Sequence, residues 1–134
     1  MPLFNPDDDT DRPPSAVVQL RQAIRDAGAL LLSVPEYAGG LPGAFKNLLD
    51  WTIGDDQPGS IYEKPVAWIN ASSRGAVHAH ESLRLVLGYA HADIIESACA
   101  DIPVTSAMIG ADSLIHDRAV RVALVEAVQR LAGK

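Results

Sequence analysis

Residues 29–34 read Ala-Leu-Leu-Leu-Ser-Val and stand between Gly28 and Pro35. An unbroken apolar run this short, closed at both ends by residues that interrupt regular structure, suits a strand covered on both faces, as in a parallel sheet. Leucines serve a buried helix equally well, so the shortness of the run decides for strand. Working outward, Ser15 follows Pro13 and Pro14 and is expected to cap a helix that Gly28 stops. On that helix Val17, Leu20, Ile24 and Ala27 fall on one face. On the other side, residues 44–53 read as a helix with Leu48 and Trp51 facing inward. Residues 65–70 (Pro-Val-Ala-Trp-Ile-Asn) form a second buried strand.

The remaining elements follow the same alternation. A helix over residues 78–90 places Leu83, Val86, Leu87 and Ala90 on one face, and residues 94–102 contain a third strand. A last helix over residues 117–131 carries the stripe Val120, Ala123, Leu124, Ala127, Val128 and Leu131, with Arg118, Arg121, Glu126 and Arg130 on its wet side. Strands alternating with amphipathic helices define an α/β fold with a parallel sheet and helices on both faces. Right-handed crossovers leave few topologies open.

Composition narrows the function. The 134 residues fit one domain, and 48% apolar with 21% charged residues argues against global disorder. The net charge of -6 comes with no basic stripe, which argues against nucleic-acid binding. No apolar run approaches the roughly 18 residues of a membrane span, and the first residues are not those of a signal peptide, so a cytoplasmic location is expected. Residues 1–14, with four prolines and Asp7, Asp8, Asp9 and Asp11, read as an irregular, solvated acidic segment. The one cysteine, Cys99, lies in an apolar stretch and reads as a small buried thiol.

Two loops carry chemistry. Open α/β sheets bind ligands beyond the carboxyl ends of their strands. After the first strand come Pro35, Glu36, Tyr37, Ala38, Gly39 and Gly40, then Leu41, Pro42 and Gly43. Three glycines and two prolines hold a tight path in which main-chain N–H groups approach a ligand, and Tyr37 offers a flat face. After the second strand, Ser72, Ser73, Arg74 and Gly75 supply hydroxyls and a guanidinium suited to carbonyl oxygens or an anion. Taken singly, the first loop reads equally as a surface turn, and the second as a helix lead-in capped by Ser72 or Ser73. Two such loops at neighbouring strand ends favour a site.

The stretch Ser33 to Trp51 (SVPEYAGGLPGAFKNLLDW) resembles the signature of the NADPH-dependent FMN reductase family, whose members include quinone, chromate and azo-dye reductases. The residues that carry the resemblance are Pro35-Glu36-Tyr37, Pro42 and Lys46-Asn47-Leu48-Leu49-Asp50-Trp51. MPLFNP at the start and KPVAWINASSRG further on extend it over nearly the whole chain. The resemblance implies a flavodoxin-like three-layer sandwich. It places an FMN ring along Pro35, Glu36, Tyr37, Ala38, Gly39 and Gly40, with Ser72, Ser73, Arg74 and Gly75 at the pyrimidine side. It further implies NAD(P)H as a transient electron donor, a small-molecule acceptor of quinone, azo or metal-oxyanion type, and a dimer or tetramer. The flavin does the redox chemistry, so no side chain is assigned as catalytic. Lys46, Asn47, Asp50 and Trp51 are expected to be structural or subunit-contact residues.

Two departures stand out. Ala38 replaces the family's usual asparagine. The family's first strand, phosphate loop, next helix and second strand have no counterpart here, so a truncated unit, or one completed by another chain along the first strand's open edge, is expected. A non-catalytic flavodoxin-like module that assembles with another chain is the alternative. Other chemistries find little support: His78 and His80 diverge by about 200 degrees on a helix and do not grip one metal, and neither a nucleophile elbow nor a dinucleotide glycine fingerprint occurs.

Overall fold

A computed structural model describes residues 1–133. Helices α1 (Ser15–Asp26), α2 (Gly43–Ile53), α3 (Val77–Tyr89) and α4 (Arg118–Ala132) are interleaved with strands β1 (Leu30–Leu32), β2 (Pro65–Ser72), β3 (Asp93–Ile94) and β4 (Ala100–Val104). The sheet is parallel throughout, with β2 at its centre. β1 lies on one edge of β2, Leu30 beside Val66 and Leu32 beside Trp68. On the opposite edge β3 pairs with Pro65 and Val66, and β4 takes over from Ile69 onward.

Alternate residues of β2 enter different layers. Val66 and Trp68 pack with Leu49, Ile61, Leu83 and Leu87 beneath α2 and α3. Ala67 and Ile69 pack with Ile95, Ala98, Ile102, Ala127 and Leu131 beneath α4. Each fully buried leucine or valine contributes about 1.5–3 kcal/mol, so the three-layer sandwich rests mainly on this strand. The flavodoxin-like α/β expectation holds.

The third strand departs from the sequence reading. Val66 faces Ile94 but Ile69 faces Ala100, so the partner advances twice as many residues as β2 over that interval. The excess forms one 3-10 turn, Glu96–Ala98, which tucks Ala98 against Leu131. The expected strand is therefore two short pieces. In α2 the buried residues include Leu49 as well as Trp51, with Leu48 only half-buried. In α4 Val128 is 47% exposed rather than inward, and Val122 and Val125 share its uncovered flank. Leu31 is also exposed, on the sheet face that α4 covers only beyond it.

The amino-terminal segment is not simply solvated. Phe4 N–H donates to Asn47 Oδ1 at 2.7 Å, while Asn47 Nδ2 and Trp51 Nε1 both donate to Pro2 O. The Phe4 ring meets Trp51 edge-on, with centroids 5.0 Å apart. Asp9 pairs with Arg21 at 2.9 Å, and both side chains are largely buried. Arg21 also donates twice to Trp51 O, satisfying a carbonyl near the end of α2 that lacks a helical partner. Ser15 begins α1 rather than capping it; Pro14 holds the cap position without a side-chain bond. Among the described residues no helix is long and apolar enough to cross a membrane.

Gly54 lies against this ion pair. A Cβ there would overlap Asp9 Oδ2 and meet Arg21 Nη2 at 3.3 Å. Gly54→Ala therefore displaces the carboxylate and leaves a buried guanidinium underpaired. A loss of about 1–3 kcal/mol is expected in urea unfolding. The loss should vanish when Asp9→Ala is already present, since the two changes remove the same contact.

Cys99 is half-buried beside both apolar layers, and burial raises its thiol pKa above the usual value. A raised folded value means the contribution to stability is complete below the unfolded thiol pKa and is lost as pH climbs through the folded one. Iodoacetamide at alkaline pH should alkylate Cys99 several-fold more slowly in the folded chain than in urea.

Candidate functional site

β1 and β2 run parallel, β1 ending opposite Trp68 and β2 at Ser72, and the chain leaving each one walls a cleft of about 630 Å³. Ser33, Val34, Pro35, Glu36 and Tyr37 form the first wall, and Ala71, Ser72, Arg74 and Ala76 the second. That volume lies within the ~300–1,000 Å³ typical of small-molecule sites. Of the sequence candidates, Pro35, Glu36, Tyr37, Ser72 and Arg74 come together here. Ala38, Gly39, Gly40, Ser73 and Gly75 are not among the lining residues.

Local hydrogen bonding explains this division. Tyr37 and Gly40 exchange N–H···O bonds of 3.1 Å in both directions, and between them Ala38 and Gly39 have φ of 49° and 73°. Two successive central residues at positive φ are the pattern of a type I′ hairpin, so residues 38–40 form a projecting tip. Its base, Tyr37, stands 65% exposed at the mouth of the cleft. Tyr37 also borders a second, apolar hollow of about 350 Å³ on the α2 side, lined further by Pro42, Ala44, Phe45 and Leu48.

The second wall is held from beneath by Asn70. This buried side chain donates to Gly75 O at 2.5 Å and to Asp101 Oδ1 at 2.8 Å, and accepts from Ser72 N–H at 3.1 Å. Sequence reasoning passed over Asn70 because it closes an apolar strand. Ser72 does not cap α3: its Oγ accepts from Arg74 N–H, and the cap position belongs to Ala76, in the left-handed region at φ 45°. The Glu36 carboxylate accepts from Ala79 N–H at 3.1 Å. Among the described residues Arg74 forms no ion pair, so its guanidinium is the cleft's available cation.

The histidines on α3 separate as helix geometry requires. His80 Nδ1 lies 2.8 Å from Ala76 O in the interior, while His78 lies 3.6 Å from Glu81 at the surface. A larger hollow of about 850 Å³, bordered by Asp55, Asp56, Tyr62, Glu63 and His91, lies at the other end of β2. It is remote from the carboxyl ends of the strands, where ligands of open α/β sheets bind. The cleft at those ends combines apolar surface from Val34, Pro35, Ala71 and Ala76 with the Tyr37 ring, the hydroxyls of Ser33 and Ser72, and one guanidinium. That set suits a planar, carbonyl-bearing ring.

A family model for NADPH-dependent FMN reductases matches residues 1–103. The chain belongs to that family. It is 35% identical over 96 residues to a 2-hydroxy-1,4-benzoquinone reductase from a Burkholderia species, covering 66% of this chain and 49% of that one. It is 39% identical over 90 residues to an NAD(P)H-dependent FMN reductase from Pseudomonas aeruginosa, covering 65% and 48%. Its fold matches FerB, a flavoenzyme NAD(P)H:(acceptor) oxidoreductase from Paracoccus denitrificans, with a TM-score of 0.80 at 25% identity over 98% of this chain and 74% of that one. The chain spans about half the length of the curated relatives it matches.

For this FMN reductase family member, the hairpin tip explains what the alanine costs. The first central position of a type I′ turn favours asparagine, whose side chain tolerates positive φ, whereas an L-residue such as alanine is strained there by about 1–2 kcal/mol. Ala38→Asn should stabilise the chain by about 0.5–1 kcal/mol, read as a melting-point rise of roughly 2–4 °C, and Ala38→Val should do the reverse.

Proposed function

We propose that this chain forms the flavin-ring site of an FMN-dependent NAD(P)H oxidoreductase that carries out two-electron reduction of quinone-like, azo or metal-oxyanion acceptors. The observation that carries this reading is the cleft between residues 33–37 and 71–76 at the carboxyl ends of adjacent parallel strands. Bound there, FMN would supply hydride acceptance and release, chemistry that side chains do not provide. Val34, Pro35, Ala71 and Ala76 would exclude water from the ring. Ser72 and Arg74 would hold its carbonyl oxygens, and the cation would favour negative charge on that side. Tyr37, exposed at the mouth, would stack against whichever partner occupies the open side, the NAD(P)H donor or the small-molecule acceptor in turn.

The proposal extends to a cytoplasmic enzyme that assembles as a dimer or tetramer. The uncovered valines of α4 support assembly, as do the names of two relatives, a subunit of an NADH:(hydroxy)cinnamate reductase and subunit 2 of an NADH-dependent flavin reductase.

Titration with FMN tests the site. Binding should quench flavin fluorescence, and at FMN one hundredfold above Kd it should stabilise the fold by about 2.7 kcal/mol. Arg74→Ala should weaken binding without lowering the melting point of the flavin-free chain. Absence of both quenching and thermal shift at high flavin excess would remove the oxidoreductase reading and favour a non-catalytic module.

A further inference from the structure

We propose that Glu36 is a positioning residue: it caps α3 across the chain and thereby sets the spacing between the two walls of the cleft. The inference rests on reading that cleft as the ring site. α3 begins without a local cap. Ala76 at its cap position has no side-chain oxygen, and the hydroxyl of Ser72 is spent on Arg74 N–H. A helix start in this state leaves N–H donors without partners. The one described side-chain acceptor that reaches them is Glu36, 43 residues earlier, through Ala79 N–H. That amide is the third of the helix, the kind a local serine or aspartate cap would normally serve.

The geometry makes this bond a strut between walls. On its own side, Glu36 sits between Pro35, whose ring fixes φ, and the paired hairpin of residues 37–40. Its backbone is therefore anchored on the first wall. On the far side, Ala79 belongs to the first turn of α3, directly after Gly75 and Ala76, both at positive φ. Asn70 holds Gly75 O and Ser72 N–H from beneath, but no other described side-chain hydrogen bond joins the first wall to α3. The carboxylate also lies at the positive end of the α3 dipole, which favours a negative charge there. Glu36 thus acts on the ring through α3, not by contact with its reacting atoms.

Three variants of the full chain test this: Glu36→Ala, Glu36→Gln and Glu36→Asp. Amide hydrogen exchange is followed at Ala79 and Leu87, and FMN affinity by fluorescence quenching. Glu36→Ala should speed exchange at Ala79 about tenfold while leaving Leu87 unchanged, and weaken FMN about tenfold. Glu36→Gln, which keeps an acceptor oxygen at the same reach, should stay within about threefold of the parent on both measures. Glu36→Asp, one methylene short, should behave like alanine. Unchanged exchange at Ala79 in Glu36→Ala overturns the proposal. So does a glutamine variant as defective as alanine, which would assign the role to charge or ligand contact. A parent chain that binds no FMN would sink the ring-site reading separately, and exchange at Gly75 and Ala79 would then decide whether the strut exists.

Discussion

The structure depends on one constraint: β2 must be covered on both faces and hydrogen-bonded along both edges. Residues 66–70 are all buried, so each backbone amide and carbonyl there needs a protein partner, because an unpaired buried one costs about 1–3 kcal/mol. β1 serves one edge and the divided β3–β4 pair the other. Alternation of side chains then commits Val66 and Trp68 to one helical layer and Ala67 and Ile69 to the other. Near the end of this strand, where the pairing with β4 shifts register between Asn70 and Ser72, Asn70 adds side-chain hydrogen bonds to the ladder. It converts a rigid core element into the support of a loop. The site inherits its rigidity from the core by this short transition.

How much of this was legible in the sequence follows from the range of the interactions. The strands at residues 30–32 and 65–72 announce themselves because continuous apolar runs between breakers have few other uses. The helices show equally clearly through their spacing. The divided third strand does not, because the turn at Glu96–Ala98 answers to Leu131 on a distant helix, and nothing local reports that contact. Val128 was misplaced for a related reason. A hydrophobic stripe wider than the covered face has no internal mark to say which flank stays open.

The site follows the same rule. Its two loops are local compositional features and were visible. What joins them is not: the partners in the Glu36–Ala79 bond lie 43 residues apart, and the partners in the Asn70–Asp101 bond 31. The run of aspartates near the start illustrates the opposite error. Three like residues in a row look interchangeable, yet Asp9 alone meets Arg21 in a largely buried pair. Asp7 and Asp8 stay exposed in the one-turn helix capped by Asn5.

The clasp formed by Asn47 and Trp51 on Pro2 and Phe4 has a consequence for how such sequences are recognised. These two residues help to define the signature stretch, yet their polar atoms are spent on fastening a neighbouring stretch of backbone. Neither lines the cleft. A descendant whose Tyr37 and Arg74 had been replaced would still need that fastening to fold. The signature is therefore a marker of shared architecture, and chemistry has to be judged from the residues that line the cleft.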